Sequence, residues 1–239
     1  MPISSDGFPE RVASLQGEPA MQGHRVQQLL EAAFDAAFAR DASGALGAIG
    51  QDEQIDTVDV EIERHAVALL VEATAAGAAL SPSMLRRVLT IVKVNNELER
   101  IADAGVAVGE LVKDLLSQNV QLPQTIRVMT NTVIGILRDS CTALERNDAQ
   151  LAKIVLASED AVEAFKRAIL RDLQTQVSSK ALTVDAAFLV QELSTLCEII
   201  AGHCTNIAEQ ALYVASGKIV RHMGGKWEEV PTPTPPAAG

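Results

Sequence analysis

Residues 81–117 read SPSMLRRVLTIVKVNNELERIADAGVAVGELVKDLLS, and this stretch decides the fold class. A serine followed by a proline is typical of a helix start, because serine caps the helix and proline suits its first turn. Apolar residues then recur every three or four positions, which is the period of a helix with one buried face. These apolar residues are Met84, Val88, Ile91, Leu98, Ile101, Val108, Val112 and Leu115. The stretch therefore predicts a long helix in a helical bundle.

The rest of the chain up to residue 218 has the same helical character. Hydrophobic residues make up 48% of the sequence but aromatic residues only 3%, which suits closely packed helices. Sustained alternation of apolar and polar residues, which would indicate strands, is absent from the sequence. We predict an all-α fold of six long helices, with a break in the first near Gly17 or Gly23 left open. The predicted helices cover about residues 9–40, 42–76, 81–117, 123–146, 147–177 and 183–217.

Residues 223–239 differ from the rest in composition. They are rich in glycine, proline and charge and show no periodicity, so we expect a disordered tail. The only tryptophan, Trp227, lies in this tail. Docking of Trp227 on a partner or on the bundle is the alternative.

The net charge and the cysteine content exclude several classes of protein for this chain. The net charge of −11 argues against binding to nucleic acids or to anionic membranes, both of which need clustered lysine and arginine. The longest apolar stretch, which starts at Ala66, contains Glu72 and is too short to cross a bilayer. No secretory signal opens the chain, and the three cysteines form no disulfide framework. We therefore expect a cytoplasmic protein without membrane insertion.

The sequence contains a weak internal repeat. RDASGALGAIGQDEQID, residues 40–56, aligns with NDAQLAKIVLASEDAVE, residues 147–163, at a shift of 107. LERIADAGVAVGE, residues 98–110, aligns with CEIIAGHCTNIAE, residues 197–209, at a shift of 99. Repetition on this scale predicts two structurally similar units of three helices each. We place them at residues 9–118 and 119–222.

Acidic stripes run along two predicted helices of the first repeat. Their members are three or four residues apart, so they share one helix face, where like charges repel each other. The stripes consist of Asp52, Asp56, Asp59 and Glu63 on the second helix and Asn96, Glu99 and Asp103 on the third. If the two helices pack antiparallel, these oxygen ligands can surround a hard cation such as Mg, Mn, Ca or ferric iron. The alternative is a solvated acidic face on which Arg100 pairs with a neighbour.

Three sequence elements resemble one known family, and they occur in the same order. The first is Asp-x-x-x-Asp at 52–56, followed by Ile-Glu at 62–63; the second is LERIAD at 98–103. The third is the closing segment NIAEQALYVASGKIVRH at 206–222. Over roughly residues 20–222 the chain resembles the PhoU family of phosphate-transport and phosphate-signalling regulators.

The resemblance implies two symmetry-related three-helix bundles that hold metal ions, commonly iron, on acidic motifs. Asp52, Asp56, Glu99 and Asp103 are then the main metal ligands. It also implies a negative regulator of the phosphate-starvation response. Such a regulator contacts the ATPase of a phosphate ABC transporter and a sensor histidine kinase, and a homodimer is a further option.

The second repeat departs from the acidic motif at both helices. Glu159 and Glu163 stand where aspartate is usual, and Arg167 is placed to form an i,i+4 salt bridge with Glu163. On the last helix Gly202 occupies the position of Asp103. We therefore expect a competent metal site in the first repeat and a weak or empty one in the second.

Glu198 is the remaining acidic candidate of the second repeat, and it lacks a carboxylate partner one turn away. His203 is next to Gly202 but lies about 100° further round the helix. An ordinary histidine on the helix face is favoured over a replacement metal ligand. Cys197 and Cys204 are seven residues apart, which favours buried small side chains over a thiolate metal site.

Enzyme motifs are absent from the sequence. It contains no phosphate-binding glycine loop and no Gly-x-Ser-x-Gly nucleophile motif. A di-iron oxidase, also a helical bundle, needs Glu-x-x-His, whereas Glu198 and His203 are five residues apart. We predict a metal-binding regulator with no catalytic residues. The alternatives are a di-iron carboxylate oxidase and a metal-free helical adaptor.

Overall fold

The computed structural model describes residues 7–223 and 226–230, with side chains described up to residue 220. This part of the chain forms seven α-helices followed by two short strands. The helices are α1 Phe8–Ala39, α2 Ala42–Ile49, α3 Asp52–Ala75, α4 Pro82–Ser117, α5 Gln124–Arg146, α6 Ala149–Ser178 and α7 Val184–Ser216. The predicted all-α fold with six long helices is confirmed, and α2 is an additional short helix.

The predicted helix starts are set by local side-chain caps. The Ser81 hydroxyl accepts a hydrogen bond from the backbone N–H of Met84 at 3.3 Å, and α4 begins at the following proline. Asp148 and Thr183 cap α6 and α7 in the same way. These caps satisfy N–H groups that have no partner within the helix, which explains why short sequence signals located the starts correctly.

The predicted second helix is in fact two helices, and the prediction was wrong at this point. Gly50 and Gln51 separate α2 from α3, so Asp52 is the first residue of α3. Three glycines in residues 44–50 weaken the helix here, because glycine loses the most backbone freedom on folding. The equivalent stretch of the second repeat, without these glycines, is the continuous helix α6.

The first helix does not break at either glycine. α1 runs through Gly17, Pro19 and Gly23 without interruption. A Cβ atom at Gly23 would lie only 2.5 Å from the Cys141 sulfur on α5. Gly23 is therefore explained by close packing of α1 on α5 and not by a helix break.

The six long helices form two groups of three. α1, α3 and α4 pack together in the first group, and α5, α6 and α7 in the second. The groups meet along a seam where α4 packs on α7 and α1 on α5. One hydrophobic core crosses this seam, from Val26 and Leu98 in the first group to Leu193 and Ile200 in the second. A smaller apolar cluster around Ile62 fills the far end of the first group.

A β-hairpin follows α7. Strand β1, Ile219–Met223, pairs antiparallel with β2, Lys226–Val230. The expectation of a disordered tail from residue 223 onwards was wrong for Met223 and residues 226–230, while residues 224–225 and 231–239 lie outside the described part of the chain. Two β-branched residues, Ile219 and Val220, precede a Gly-Gly pair in the sequence, which is a hairpin signal. Val220 is buried, so burial of apolar surface supports the strand.

None of the helices in the described ranges is long and apolar enough to cross a bilayer.

Candidate metal centre

Two buried amide side chains fix the position of α3, which carries half of the predicted site. Gln22 on α1 donates from Nε2 to the backbone oxygen of Ile55 at 2.7 Å. Asn95 on α4 donates from Nδ2 to the backbone oxygen of Asp59 at 3.0 Å and to its carboxylate at 2.6 Å. The two acceptors are one turn apart on α3. The register of α3 is therefore held from both of its neighbours, α1 and α4.

The predicted acidic stripes face each other between α3 and α4. Burial raises the pKa of Asp52, and repulsion from Asp56 and Asp103 raises it further. Burial likewise raises the pKa of Glu99, with further increases caused by Asp103, Asp59 and Asp56. Carboxylates on one helix thus destabilise the charged form of carboxylates on the other. The fold brings the predicted carboxylates near one another, and the positive charge of Arg100 offsets only part of the repulsion at Glu99.

Asp59 and Asn95 extend this cluster towards the interior. Burial raises the pKa of Asp59, and the charges of Glu63 and Asp56 add to the effect. Asn95 is almost fully buried, and its Oδ1 has no hydrogen-bond partner among the described residues. A buried acceptor without a donor is unusual, and a cation is one group that would satisfy it.

The donor set fits a hard cation in its chemistry, because every candidate atom is an oxygen. Within residues 7–223 and 226–230, however, no three His, Cys, Asp or Glu side chains are placed to hold one metal ion. Asn96 also points elsewhere: it lines a cleft of about 540 Å³ between α4 and α7, together with Glu97. The carboxylates of α3 and α4 are thus close enough to repel one another, but they do not form a closed coordination shell.

The second repeat carries its own positive charge at the equivalent place. Lys166 Nζ lies 2.5 Å from Glu198 Oε2 and joins α6 to α7. The shift of 107 that aligns Asp52 with Glu159 also aligns Asp59 with Lys166. A lysine therefore replaces an acidic residue of the first repeat. The sequence alignment contained this signal, but Lys166 was not among the predicted site residues.

The other acidic candidates of the second repeat have lost the motif. Glu163 forms the predicted i,i+4 salt bridge with Arg167. Glu159 is half-buried on α6. A Cβ atom added at Gly202 would meet nothing within 4 Å, so the position of the missing carboxylate is open. The second repeat thus lacks the full acidic motif, and the weak or empty second site stays a prediction.

His203 joins the two bundles through a residue that sequence reasoning missed. Its Nδ1 lies 2.7 Å from Glu97 Oε2, and Asn206 Nδ2 donates to the same oxygen at 3.0 Å. Burial acts to raise the pKa of Glu97, but the hydrogen bonds from His203 and Asn206 outweigh it and hold the pKa below its usual value. This cluster links α4 to α7, and the side chain of His203 is hydrogen-bonded to Glu97.

The predicted burial of Cys197 and Cys204 is confirmed, and all three cysteines are free thiols. Cys197 and Cys204 are fully buried on α7, and Cys141 is half-buried on α5. Burial raises the pKa of Cys141 and of Cys197 to about 12. Thiols with such pKa values stay protonated at neutral pH and are poor nucleophiles and metal ligands.

Comparison with known proteins covers most of the helical region. The sequence profile described as "PhoU domain" matches residues 22–112 and again residues 126–211. The phosphate-specific transport system accessory protein PhoU of Serratia marcescens is 25% identical over 92% of this chain and 89% of its own. The corresponding homologue of Caulobacter vibrioides is 28% identical over 88% of this chain and 90% of its own.

Solved structures show the same fold. The crystal structure of the phosphate transport system regulatory protein PhoU from Streptococcus pneumoniae superposes with a TM-score of 0.82 and 20% identity. The superposition covers 90% of this chain and 100% of the Streptococcus pneumoniae chain. PhoU from Pseudomonas aeruginosa gives a TM-score of 0.81 at 23% identity, over 88% of this chain and 99% of its own. With both repeats matched by the domain profile, the chain belongs to the PhoU family.

Proposed function

We propose that this protein is a non-enzymatic accessory regulator of phosphate-specific transport and of the phosphate-starvation response. The observation that carries the proposal is the match of the PhoU domain to both repeats, over residues 22–112 and 126–211. Relatives that align over nearly the full chain are named accessory proteins of the phosphate-specific transport system. The protein would act in the cytoplasm by contact with the ATPase of a phosphate ABC transporter and with a sensor histidine kinase.

The proposal includes a hard cation, iron being our first choice, on the acidic cluster of the first bundle. Asp52, Asp56, Glu99 and Asp103 would hold it. Support comes from the raised pKa values of Asp52 and Glu99, which reflect negative charge that a cation would offset. When bound, the cation would neutralise the cluster and tie α3 to α4.

The regulatory role is tested in cells with a reporter of a phosphate-starvation promoter. Deletion of the gene, or Asp103→Ala, should raise reporter expression in phosphate-rich medium. Asp160→Ala removes an exposed carboxylate of α6 and serves as the matched control. Unchanged expression in the deletion strain would contradict the regulatory proposal.

A metal-free helical adaptor is the second candidate, and two observations favour it. No trio of ligands is preformed among the described residues. Asp52 and Glu53 also lie in the first turn of α3, where negative charge is stabilised by the helix dipole without any cation. Elemental analysis of protein purified without chelators separates the two candidates, because the adaptor would contain no bound metal.

A further inference from the structure

A small cavity lies where α1 meets α4 and α5. Its volume is about 200 Å³, and its lining includes Gln16 and Gly17 of α1, Arg87 and Thr90 of α4, and Glu145 of α5. It shares no residue with the acidic cluster between α3 and α4. Pockets for drug-sized ligands span roughly 300–1,000 Å³, so this cavity suits something smaller. A water molecule occupies about 30 Å³, so there is room for a small ion with its hydration.

An unsatisfied hydroxyl group lines the cavity. Thr90 is only 2% exposed, and its Oγ1 has no hydrogen-bond partner among the described residues. Nearly all buried hydroxyl groups in proteins are paired, so an unpaired one that lines a cavity indicates a missing ligand or water.

Hydrogen-bond donors are concentrated beside Thr90. Arg87 Nη1 donates to Gln16 Oε1 at 2.6 Å, which uses one of the two lone pairs of that oxygen. The amide N–H groups of Gln16 and the other guanidinium N–H groups of Arg87 are donors only. Arginine in such a setting favours oxyanions, to which it can donate two parallel hydrogen bonds.

Glu145 adds a carboxylate to the lining of the cavity, and its charge would discriminate among oxyanions. It is an exposed side chain of the last turn of α5 and contributes to the cavity lining. A carboxylate repels a fully deprotonated anion, but it accepts a hydrogen bond from an anion that keeps an O–H group. Phosphate keeps such a proton at neutral pH, whereas sulfate does not.

We propose that this cavity binds inorganic phosphate as its protonated anion. Arg87, Gln16 and Thr90 donate to the phosphate oxygens, and Glu145 accepts from the P–OH group. This proposal goes beyond the regulatory function and does not rest on it, because binding is measured on the purified protein alone. Direct binding would let the regulator respond to the ion whose transport its relatives serve.

Isothermal titration calorimetry of the full chain with sodium phosphate tests the proposal. EDTA in the buffer excludes phosphate binding through metal on the acidic cluster. The wild type should bind phosphate but not sulfate. It should not bind AMP either, because the adenosine that carries the phosphoryl group is too large for the cavity. Loss of one charge-assisted contact typically weakens binding about tenfold, so Arg87→Met and Thr90→Val should each show roughly that effect.

Three further variants keep the test decisive. Gly17→Leu should fold and lose phosphate binding, because a Cβ atom there meets nothing within 4 Å and the side chain fills the cavity. Glu145→Gln should admit sulfate. Arg171→Met, at an exposed arginine of α6, should bind phosphate like the wild type. No phosphate binding by the folded wild type, AMP binding in its place, or wild-type affinity in Arg87→Met and Thr90→Val would overturn the proposal.

Discussion

Lys166 and Glu198 form a salt bridge in the second bundle, with 2.5 Å between Nζ and Oε2, at the place where the first bundle has Asp59 and Glu99. In the first bundle Asp59 raises the pKa of Glu99, after the larger effect of burial. The equivalent residues of the two repeats thus form a repulsive pair in the first bundle and an attractive pair in the second. An added cation has charge to neutralise only in the first.

Reversing this charge should create a second metal site. Lys166→Asp removes the internal cation, and Gly202→Asp supplies the carboxylate that the second repeat lacks, at a position with open space. We expect the double variant to retain more metal per chain than the wild type after dialysis against Mn²⁺, measured by elemental analysis. Arg171→Asp is the control for added negative charge on α6. An unchanged metal content in the folded double variant would contradict the assignment of the acidic motif.

Glu99→Gln should change stability in opposite directions with and without metal. In EDTA the variant should be more stable than the wild type by a few tenths of a kcal/mol, because a repulsive charge is removed. When Mn²⁺ or Fe²⁺ is added, the melting temperature of the wild type should rise, and that of the variant should rise much less. Thermal unfolding followed by circular dichroism measures both effects. Glu110→Gln changes an exposed residue further along α4. Added metal should raise the melting temperature of this variant as much as that of the wild type.

Glu97 should make stability depend on pH. The pKa of Glu97 in the folded protein lies below the usual 4.5. Its contribution to the free energy of unfolding is therefore complete above pH 4.5 and is lost as the pH falls through the pKa of the folded state. At neutral pH, Glu97→Gln should cost about 1 kcal/mol, because hydrogen bonds to charged groups are stronger than neutral ones. Urea unfolding of both proteins should show this difference shrinking below pH 4.5. A difference that stays constant at acid pH would show that the charge of Glu97 has no role.

Gly105→Ala should destabilise the first bundle. A Cβ atom at Gly105 would lie 2.3 Å from Leu29 Cδ2 and 2.8 Å from Leu30 Cδ2, so α1 and α4 could not pack as closely. Overpacking of this kind costs about 1–3 kcal/mol, more than alanine gains in helix propensity. Gly202→Ala is the matched control: it meets open space and should stabilise the protein by about 0.5–1 kcal/mol. Equal unfolding midpoints for the two variants in urea would contradict the packing argument.

Features set by local chemistry were predictable from the sequence. Ser81 and Thr183 cap their helices through their own side chains, and the spacing of Glu99 and Asp103 fixes their common face. The break at Gly50 was missed, although the three glycines in residues 44–50 are a sequence signal for it. The pairing of residues 219–223 with 226–230 was missed because its sequence signal is short and lies in a polar segment.

Contacts between distant parts of the chain were not predictable. His203 and Glu97 are 106 residues apart and meet only because α7 packs on α4. A single sequence gives helix faces but not the partner that each face meets. Lys166 is different: the repeat alignment already placed it opposite Asp59, and a comparison of charge at every aligned position would have identified it.

The shared core bears on how the two repeats can be used. Val26 and Leu98 belong to one repeat, and Leu193 and Ile200 to the other, yet they pack into one continuous apolar interior. A half chain cut between α4 and α5 would expose that interior to water along its whole seam and should aggregate. The two repeats therefore form one folding unit, and we expect neither of them to fold as an independent domain.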